Sequence, residues 1–118
     1  MKTILICEDE LDAQKFLKEI LLENDYDVFT AKDGEESIRM TKKIKPDLIL
    51  LDIRMPKMDG LEVAKEIRKF NTDVKIVFLT AFESAELSKE AAKYDIVDYL
   101  VKPISSKNII KVIEQALK

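Results

Sequence analysis

The sequence predicts an α/β fold in which a five-stranded parallel sheet lies between two layers of helices. Short apolar or β-branched runs alternate five times with stretches of helical periodicity along the 118 residues. The run at 48–51, Leu-Ile-Leu-Leu, is apolar without alternation, which is typical of a central parallel strand covered on both faces. Such alternation of strands and helices is typical of βα units joined by right-handed crossovers. The length fits a single domain, assigned to residues 1–118.

The predicted strands share short length and β-forming composition. In chain order they are Thr3–Cys7, Asp27–Ala31, 48–51, 74–79 and 97–101. The second strand is expected to be half exposed, and polar residues in the fifth indicate an edge. The expected strand order is 2-1-3-4-5, the flavodoxin-like (βα)₅ arrangement with three layers.

Each predicted helix is recognised by apolar residues at helical spacing or by a capping residue. The first spans Leu11–Glu23, with a buried side made of Ala13, Phe16, Leu17, Ile20 and Leu21. The second runs from Asp33-Gly34 to about Ile44, the third is marked by Leu61, Ala64, Ile67 and Phe70, and the fourth runs from an N-cap at Ser84 to Tyr94. The fifth begins at Ser105 or Ser106 and buries Ile109, Ile110, Ile113, Ala116 and Leu117. Gly60 opens the third helix, where a Cβ would crowd the preceding loop.

Composition excludes several kinds of function. The net charge is −3, from 20 basic and 23 acidic residues, so direct binding to nucleic acid or to a membrane surface is not expected. The chain has no histidine, which removes serine triads and His-based zinc sites. Its single cysteine, Cys7, lies in an apolar run and is predicted to be a buried thiol. The N-terminus lacks a secretory signal, and we predict a cytoplasmic location.

Polar residues follow four of the five predicted strands. Glu8 and Asp9 follow the first strand, Asp52 the third, Thr80 the fourth and Lys102 the fifth. Taken singly, each has a simpler interpretation as a helix cap, a turn residue, a strand end or a surface lysine. Because the carboxyl ends of parallel strands meet at one edge of the sheet, together they indicate a site.

Clustered carboxylates at that edge require a compensating charge. Two carboxylates about 4 Å apart repel by about 4 kcal/mol at an effective dielectric constant near 20. Oxygen ligands without histidine or cysteine favour a hard cation, Mg²⁺ or Mn²⁺. A lysine and a hydroxyl can stabilise the charge of a phosphoryl group, and a carboxylate can accept that group. The residues therefore predict an aspartyl-phosphate site.

Four segments resemble the signature of response-regulator receiver domains, the CheY-like superfamily of two-component signal transduction. They are ILICEDE (4–10), LLDIRMPKMDG (50–60), FLTA (78–81) and DYLVKP (98–103). The similarity covers the whole chain, in order and at the family's spacing.

The resemblance implies a phosphoacceptor and a metal site. Asp52 matches the aspartate that carries the phosphate. Glu8 and Asp9 match the acidic pair, with Asp9 binding Mg²⁺ directly and Glu8 through water. Asp52 and the backbone carbonyl of Arg54 would complete the protein ligands.

The resemblance also implies catalytic and switching residues. Thr80 and Lys102 would act with Asp52 in catalysis, and Thr80 and Tyr99 would form the conformational switch. The peptide bond before Pro103 would be cis, which is uncommon among X–Pro bonds.

Other positions vary within the family or depart from its pattern. Arg54 and Phe82 would tune the lifetime of the phosphate. Glu8 stands where an aspartate is common, and Asp95-Ile96 stands where a Gly-Ala pair usually precedes the fifth strand. An aspartate can adopt a left-handed conformation at some cost relative to glycine, so the sequence leaves the conformation of this turn open.

By resemblance, the phosphoryl donor is a sensor histidine kinase or a phosphotransfer protein. The phosphorylated domain would then signal to an output domain or a downstream protein. The domain would catalyse its own phosphorylation from phosphohistidine and its autodephosphorylation, without being a conventional enzyme. The donor would dock at Glu10, Ala13, Phe16 and Ile104. The output face, on helix 4, strand 5 and helix 5, would include Phe82, Glu86, Lys89, Tyr99 and Lys107. The domain would be a monomer or a phosphorylation-dependent homodimer.

Three alternatives remain at this stage. A phosphatase of the haloacid dehalogenase type would place its Asp-x-Asp after the first strand, whereas Asp52 ends the third. A dinucleotide- or flavin-binding module would need a Gly-rich loop, and the chain has only two glycines. A pseudo-receiver would share the fold but would not be phosphorylated.

Overall fold

The computed structural model describes residues 1–81 and 84–118, within which five strands alternate with five helices. The elements are β1 (Thr3–Cys7), α1 (Leu11–Glu23), β2 (Asp27–Ala31), α2 (Gly34–Ile44), β3 (Leu48–Asp52), α3 (Gly60–Arg68), β4 (Lys75–Thr80), α4 (Ala85–Lys93), β5 (Asp98–Val101) and α5 (Ser106–Ala116).

The sheet has the order β2-β1-β3-β4-β5, and all neighbouring strands are parallel. The predicted strand order is therefore confirmed. All five residues of β3 are buried, as its uninterrupted apolar run indicated.

Successive strand residues point to opposite faces of the sheet, and each face has its own core. One core contains Ile4, Ile6, Leu48, Leu50, Val77 and Leu79 against residues of α1 and α5. The other contains Leu5, Cys7, Ile49, Leu51, Ile76 and Phe78 against residues of α2, α3 and α4. The predicted burial of Cys7 is confirmed.

Several predicted boundaries and buried faces were wrong in detail. β4 begins at Lys75 and ends at Thr80, and β5 begins at Asp98. The third helix ends at Arg68, and Phe70 beyond it is 42% exposed. Phe16 is 46% exposed, because the core of α1 is filled by Leu17, Ile20 and Leu21 and the wider apolar stripe extends into solvent.

The last helix shows the same kind of error. Val112, which was not predicted to be buried, packs in the core beside Ile109 and Ile113. Ile110, Ala116 and Leu117 are only partly buried. A helix of this length buries a narrow stripe, and the pattern of apolar residues alone does not show its centre.

Capping side chains begin four of the helices. Ser84, the predicted N-cap of the fourth helix, accepts a hydrogen bond from the amide of Leu87 at 3.0 Å. Of the two serines predicted at the start of the fifth helix, Ser105 is the N-cap and accepts from the amide of Asn108 at 3.2 Å. The carboxylates of Asp33 and Asp59 cap α2 and α3 in the same way.

Two backbone features lie near β5. The Lys102–Pro103 peptide bond is cis, as the resemblance implied, and Asp95, in the turn whose conformation the sequence left open, has a left-handed φ of 55°.

Candidate functional site

The parallel register brings the predicted site residues to one edge of the sheet. Cys7 pairs with Leu51, so Glu8 and Asp52 follow at the same level on neighbouring strands. β4 ends at Thr80, whose register partner on β5 is Val101, and Lys102 follows. The amide of Lys102 donates to the carbonyl of Thr80 at 2.8 Å, which fixes the start of the segment that carries the lysine.

Lys102 bridges two buried carboxylates. Its Nζ lies 3.3 Å from Oε1 of Glu8 and 3.2 Å from Oδ2 of Asp52. The side chains of Glu8 and Asp52 are 2% and 5% exposed, whereas that of Lys102 is 38% exposed. The lysine therefore brings a cation from the solvent side to two acids that water barely reaches.

The ionisation of this group reflects its burial. Burial raises the pKa of the Glu8 carboxyl from 4.5 to about 7, and the neighbouring Asp52 carboxyl acts in the same direction. Burial opposes the charged form of Lys102, but the carboxylates of Asp52 and Glu8 outweigh it and raise the lysine pKa above its usual 10.5. One ammonium thus does not fully balance the acids, and a proton on Glu8 or a further cation is favoured.

The acidic cluster has the ligand set of a hard cation. One carboxylate oxygen from each of Glu8, Asp9 and Asp52 lies within 4.8 Å of the others. Glu8 and Asp52 are buried while Asp9 is exposed, so the cluster is open to solvent on one side. These all-oxygen ligands fit Mg²⁺, which keeps several of its waters when it binds proteins.

Backbone hydrogen bonds orient the Asp52 carboxylate and fix the start of α3 beside the end of β3. The amide of Arg54 donates to Oδ1 of Asp52 at 3.1 Å, which leaves Oδ2 to Lys102. The Arg54 side chain is exposed. The amide of Gly60 donates to the carbonyl of Ile53 at 2.9 Å, which seats the start of α3 against the end of β3.

Gly60 is required by this close approach. A Cβ at position 60 would lie 2.7 Å from the backbone oxygen of Asp52 and 2.8 Å from the Cα of Ile53. Neither backbone atom can move without displacing Asp52 itself. The predicted crowding at Gly60 is confirmed, and its partner is the backbone of the candidate phosphoacceptor.

The two predicted switch residues lie on the same side of the sheet. Thr80 is 8% exposed, and the Tyr99 ring is partly buried with its centroid 6.2 Å from that of Phe78. Phe78 pairs with Tyr99, and Thr80 pairs with Val101. The predicted tuning residue Phe82 lies outside the described residues.

The four residues predicted to dock a phosphoryl donor line one groove. Glu10, Ala13, Phe16 and Ile104 surround a cavity of about 200 Å³, which Glu8 and Lys102 of the acidic site also line. On the predicted output face, Glu86, Lys89 and Lys107 are exposed and Tyr99 is partly buried.

One residue with a prominent place in the structure was missed from the sequence. Arg68, at the end of α3, donates hydrogen bonds to three backbone carbonyls, two of them in the turn before β5. An arginine in the last turn of a helix is common and gave no signal, because its partners lie up to 27 residues along the chain.

Comparison with known proteins identifies the family. A family model described as the response regulator receiver domain matches residues 4–114. The transcriptional regulatory protein PdtaR of Mycobacterium tuberculosis is 38% identical over 117 residues, which are 98% of this chain and 57% of the relative. PhoP of Bacillus subtilis, an alkaline phosphatase synthesis regulator, is 37% identical over 108 residues, 92% of this chain and 45% of the relative.

The solved structures give the same result. The chemotaxis protein CheY4 of Vibrio cholerae superposes with a TM-score of 0.92 at 30% identity, covering 99% of both chains. The chain spans about half the length of PdtaR and PhoP. Within 1–81 and 84–118, no helix combines the length and apolar character needed to cross a membrane. Because the family model covers nearly the whole chain, this protein belongs to the response regulator receiver domain family, consistent with two-component signalling.

Proposed function

We propose that this domain accepts a phosphoryl group on Asp52 in the presence of Mg²⁺ and thereby changes the surface formed by α4, β5 and α5. One observation supports it above all others. The buried Asp52 carboxylate is hydrogen-bonded to Lys102 and lies within 4.8 Å of the Glu8 and Asp9 carboxylates, at the open edge of a parallel sheet.

In the proposed transfer, an Asp52 carboxylate oxygen attacks the phosphorus of a phosphohistidine. A P–O bond forms, the P–N bond breaks, and the imidazole leaves with its electron pair. Lys102, already 3.2 Å from Oδ2, stays close enough to pair with a phosphoryl oxygen instead. The Thr80 hydroxyl, at the end of the next strand, would donate to a second phosphoryl oxygen.

Glu8, Asp9, Asp52 and the backbone carbonyl of Arg54 would hold the Mg²⁺. When bound, Mg²⁺ would neutralise the charge shared by the carboxylates and the phosphoryl oxygens, which otherwise repel each other. The surrounding residues keep bulk water from Asp52, which is 3% exposed, and electrostatic interactions are stronger in such a site.

The sheet offers a route from the phosphate to the output face. Residues two apart on a strand point to the same face, so Thr80 and Phe78 share a face with Val101 and Tyr99 on β5. A shift of Thr80 toward the phosphate would alter the space beside Tyr99. Phosphorylation would then favour the conformer in which Thr80 and Tyr99 move inward.

The partners proposed here are those of the receiver family, and each is assigned to one surface. A sensor histidine kinase or phosphotransfer protein would use the groove lined by Glu10, Ala13, Phe16 and Ile104, which adjoins the acidic site. The α4-β5-α5 face would contact an output domain or a downstream protein. The greater length of PdtaR and PhoP supports output through an attached domain in those relatives.

Intact mass spectrometry tests the proposal. The protein is incubated with acetyl phosphate and Mg²⁺, alongside Asp52→Asn and the matched control Asp12→Asn, an exposed aspartate on α1. We expect one phosphoryl adduct in the unmodified chain and in Asp12→Asn, none in Asp52→Asn, and none when Mg²⁺ is removed with EDTA. An adduct that persists in Asp52→Asn, or no adduct in the unmodified chain, would contradict the proposal.

A further inference from the structure

The C-terminal end of α4 is held by a side chain from a different helix. Arg68, the last residue of α3, donates from Nε to the carbonyl of Tyr94 at 2.7 Å and from Nη2 to the carbonyl of Asp95 at 3.1 Å. Its Nη1 donates to the carbonyl of Asn71 at 3.1 Å. Tyr94 is the C-cap of α4, and Asp95 is the left-handed residue of the turn that follows.

These hydrogen bonds pair backbone carbonyls at the end of α4, where the helix itself supplies no amide donor. The last carbonyls of a helix have no amide partner one turn ahead. The amides of Tyr94 and Ile96 both donate to Ala91, and the planar guanidinium reaches the carbonyls of Tyr94 and Asp95 together. Because the third bond goes to Asn71, beyond the end of α3, the arginine joins the ends of the two helices.

The remainder of α4 is lightly packed. Among its nine residues only Ala91 is buried, and Leu87 packs on the core only partly. The Ser84 cap bonds the amide of Leu87, within the first turn, and so does not tie α4 to the sheet. The attachments of α4 within the described chain are thus concentrated near its C-terminal end.

The start of β5 depends on the same point. Only Ile96 and Val97 separate Asp95 from β5, and the amide of Val97 donates to the carbonyl of Ile76 at 3.0 Å. Tyr99 follows, in register with Phe78. A displacement of the turn would be passed directly to the strand that carries the switch aromatic.

We propose that Arg68 is a positioning residue that fixes the C-terminal end of α4 and the start of β5. During switching, α4 would then move about this end, and its first turn would move most. The clamp itself stands on the hydrogen bonds described above, whereas the movement of α4 rests on the proposed function.

Hydrogen exchange of the unphosphorylated chain tests the clamp. Arg68→Ala is compared with Arg68→Lys, which keeps the charge but loses the planar fork, and with Arg39→Ala, which removes an exposed arginine on α2. We expect exchange of the Tyr94, Ile96 and Val97 amides to be about tenfold faster in Arg68→Ala, with a less than about twofold change in β1. Arg68→Lys should lie between, and Arg39→Ala should match the unmodified chain.

Two outcomes would overturn the clamp. Equal acceleration in β1 and at residues 94–97 would show that Arg68 contributes only to overall stability. No acceleration at residues 94–97 would show that the three hydrogen bonds do not hold the turn.

A second comparison tests the movement of α4. Exchange is measured before and after phosphorylation by acetyl phosphate, with beryllofluoride and Mg²⁺ as a stable substitute. In the unmodified chain the change at Leu87 and Ser88, in the first turn, should exceed the change at Tyr94 and Ile96 by about fivefold. In Arg68→Ala the two ends should change by similar factors.

Equal changes at both ends of the unmodified helix would contradict the pivot. If Asp52 takes no phosphoryl group in the unmodified chain, the pivot falls with the proposed function. The clamp would still be decided by the unphosphorylated comparison, so the two failures are distinguishable.

Discussion

The helices α3 and α4 are equal in length and contribute to the same core, but they are attached to the protein in different ways. Each has nine residues. α3 buries Gly60, Val63, Ala64 and Ile67, whereas α4 buries only Ala91. Full burial of a valine or isoleucine side chain contributes about 1.5–3 kcal/mol, so α3 is held far more firmly.

The difference matches the position of each helix relative to Asp52. The first residue of α3, Gly60, lies against the backbone of Asp52 and Ile53, and this close contact is possible because glycine has no Cβ. α4 has the sequence AELSKEAAK, in which alanine and long polar residues supply helix propensity in place of packing. We infer that α3 is a rigid support for the candidate phosphoacceptor, while α4 can change position with little loss of buried apolar contact.

The largest effect is expected when one apolar side chain is truncated to alanine in each helix. Ile67→Ala should lower the free energy of unfolding by about 3 kcal/mol, because Ile67 is fully buried and its removal leaves a cavity. Leu87→Ala should cost about 1 kcal/mol, because Leu87 is only partly buried. Urea unfolding of both variants measures the difference, and equal losses would remove the distinction between the helices.

A second test adds one methyl group to the α3 support. Gly60→Ala should cost about 2 kcal/mol and slow phosphorylation of Asp52, because the new Cβ meets the Asp52 and Ile53 backbone. Gly34→Ala is the matched comparison, because its Cβ would lie 2.8 Å from Cγ2 of the buried Val63 and 3.0 Å from Cβ of Met58, so it should also lose stability. Its nearest contacts are with side chains and not with the backbone of Asp52 or Ile53, so phosphorylation should slow less than in Gly60→Ala. Unfolding and acetyl phosphate kinetics report both effects; a normal phosphorylation rate in Gly60→Ala would contradict the support role.

A third test uses the pH dependence of the acidic site. Because the folded-state pKa of Glu8 is raised to about 7, its proton stabilises the metal-free fold fully below pH 4.5, and this contribution is lost as the pH rises through about 7. Mg²⁺ should compete with that proton, so Mg²⁺ affinity should fall by up to about tenfold per pH unit below 7.

Calorimetric titration of Mg²⁺ at about pH 5.5, 6.5 and 7.5 measures this dependence. Glu8→Gln should flatten it, and Leu87→Ala in α4 should leave it unchanged. A similar slope in Glu8→Gln would assign the proton to another group.

The smallest effects are expected from the surface ion pairs, one on each helix. Nζ of Lys69, the C-cap of α3, lies 3.0 Å from Oε1 of Glu66, and Nζ of Lys93 lies 3.1 Å from Oε1 of Glu90 on α4. All four side chains are at least 40% exposed. Lys69→Ala and Lys93→Ala should each change unfolding free energy by less than about 0.5 kcal/mol. A larger loss in Lys69→Ala alone would mean that charge, and not burial alone, distinguishes the two helices.

Much of the site was predictable because it depends on strand ends. Strand and helix periodicity indicated the five strands, and a parallel sheet brings the residues after them to one edge. Glu8, Asp52 and Lys102 meet there as the pattern predicted. Their roles in phosphoryl transfer and metal binding remain predictions, as does the role of Phe82.

The sequence by itself determined the order of the elements, the polar residues that meet at the sheet edge and the cap at Ser84, since these follow from local pattern and from parallel pairing. Only the tertiary structure decided that Phe16 is exposed, that Gly60 touches the backbone of Asp52, and that Arg68 reaches Tyr94. Periodicity indicates the direction in which a side chain points. How closely it meets a distant residue is decided by the packing of all the elements between them.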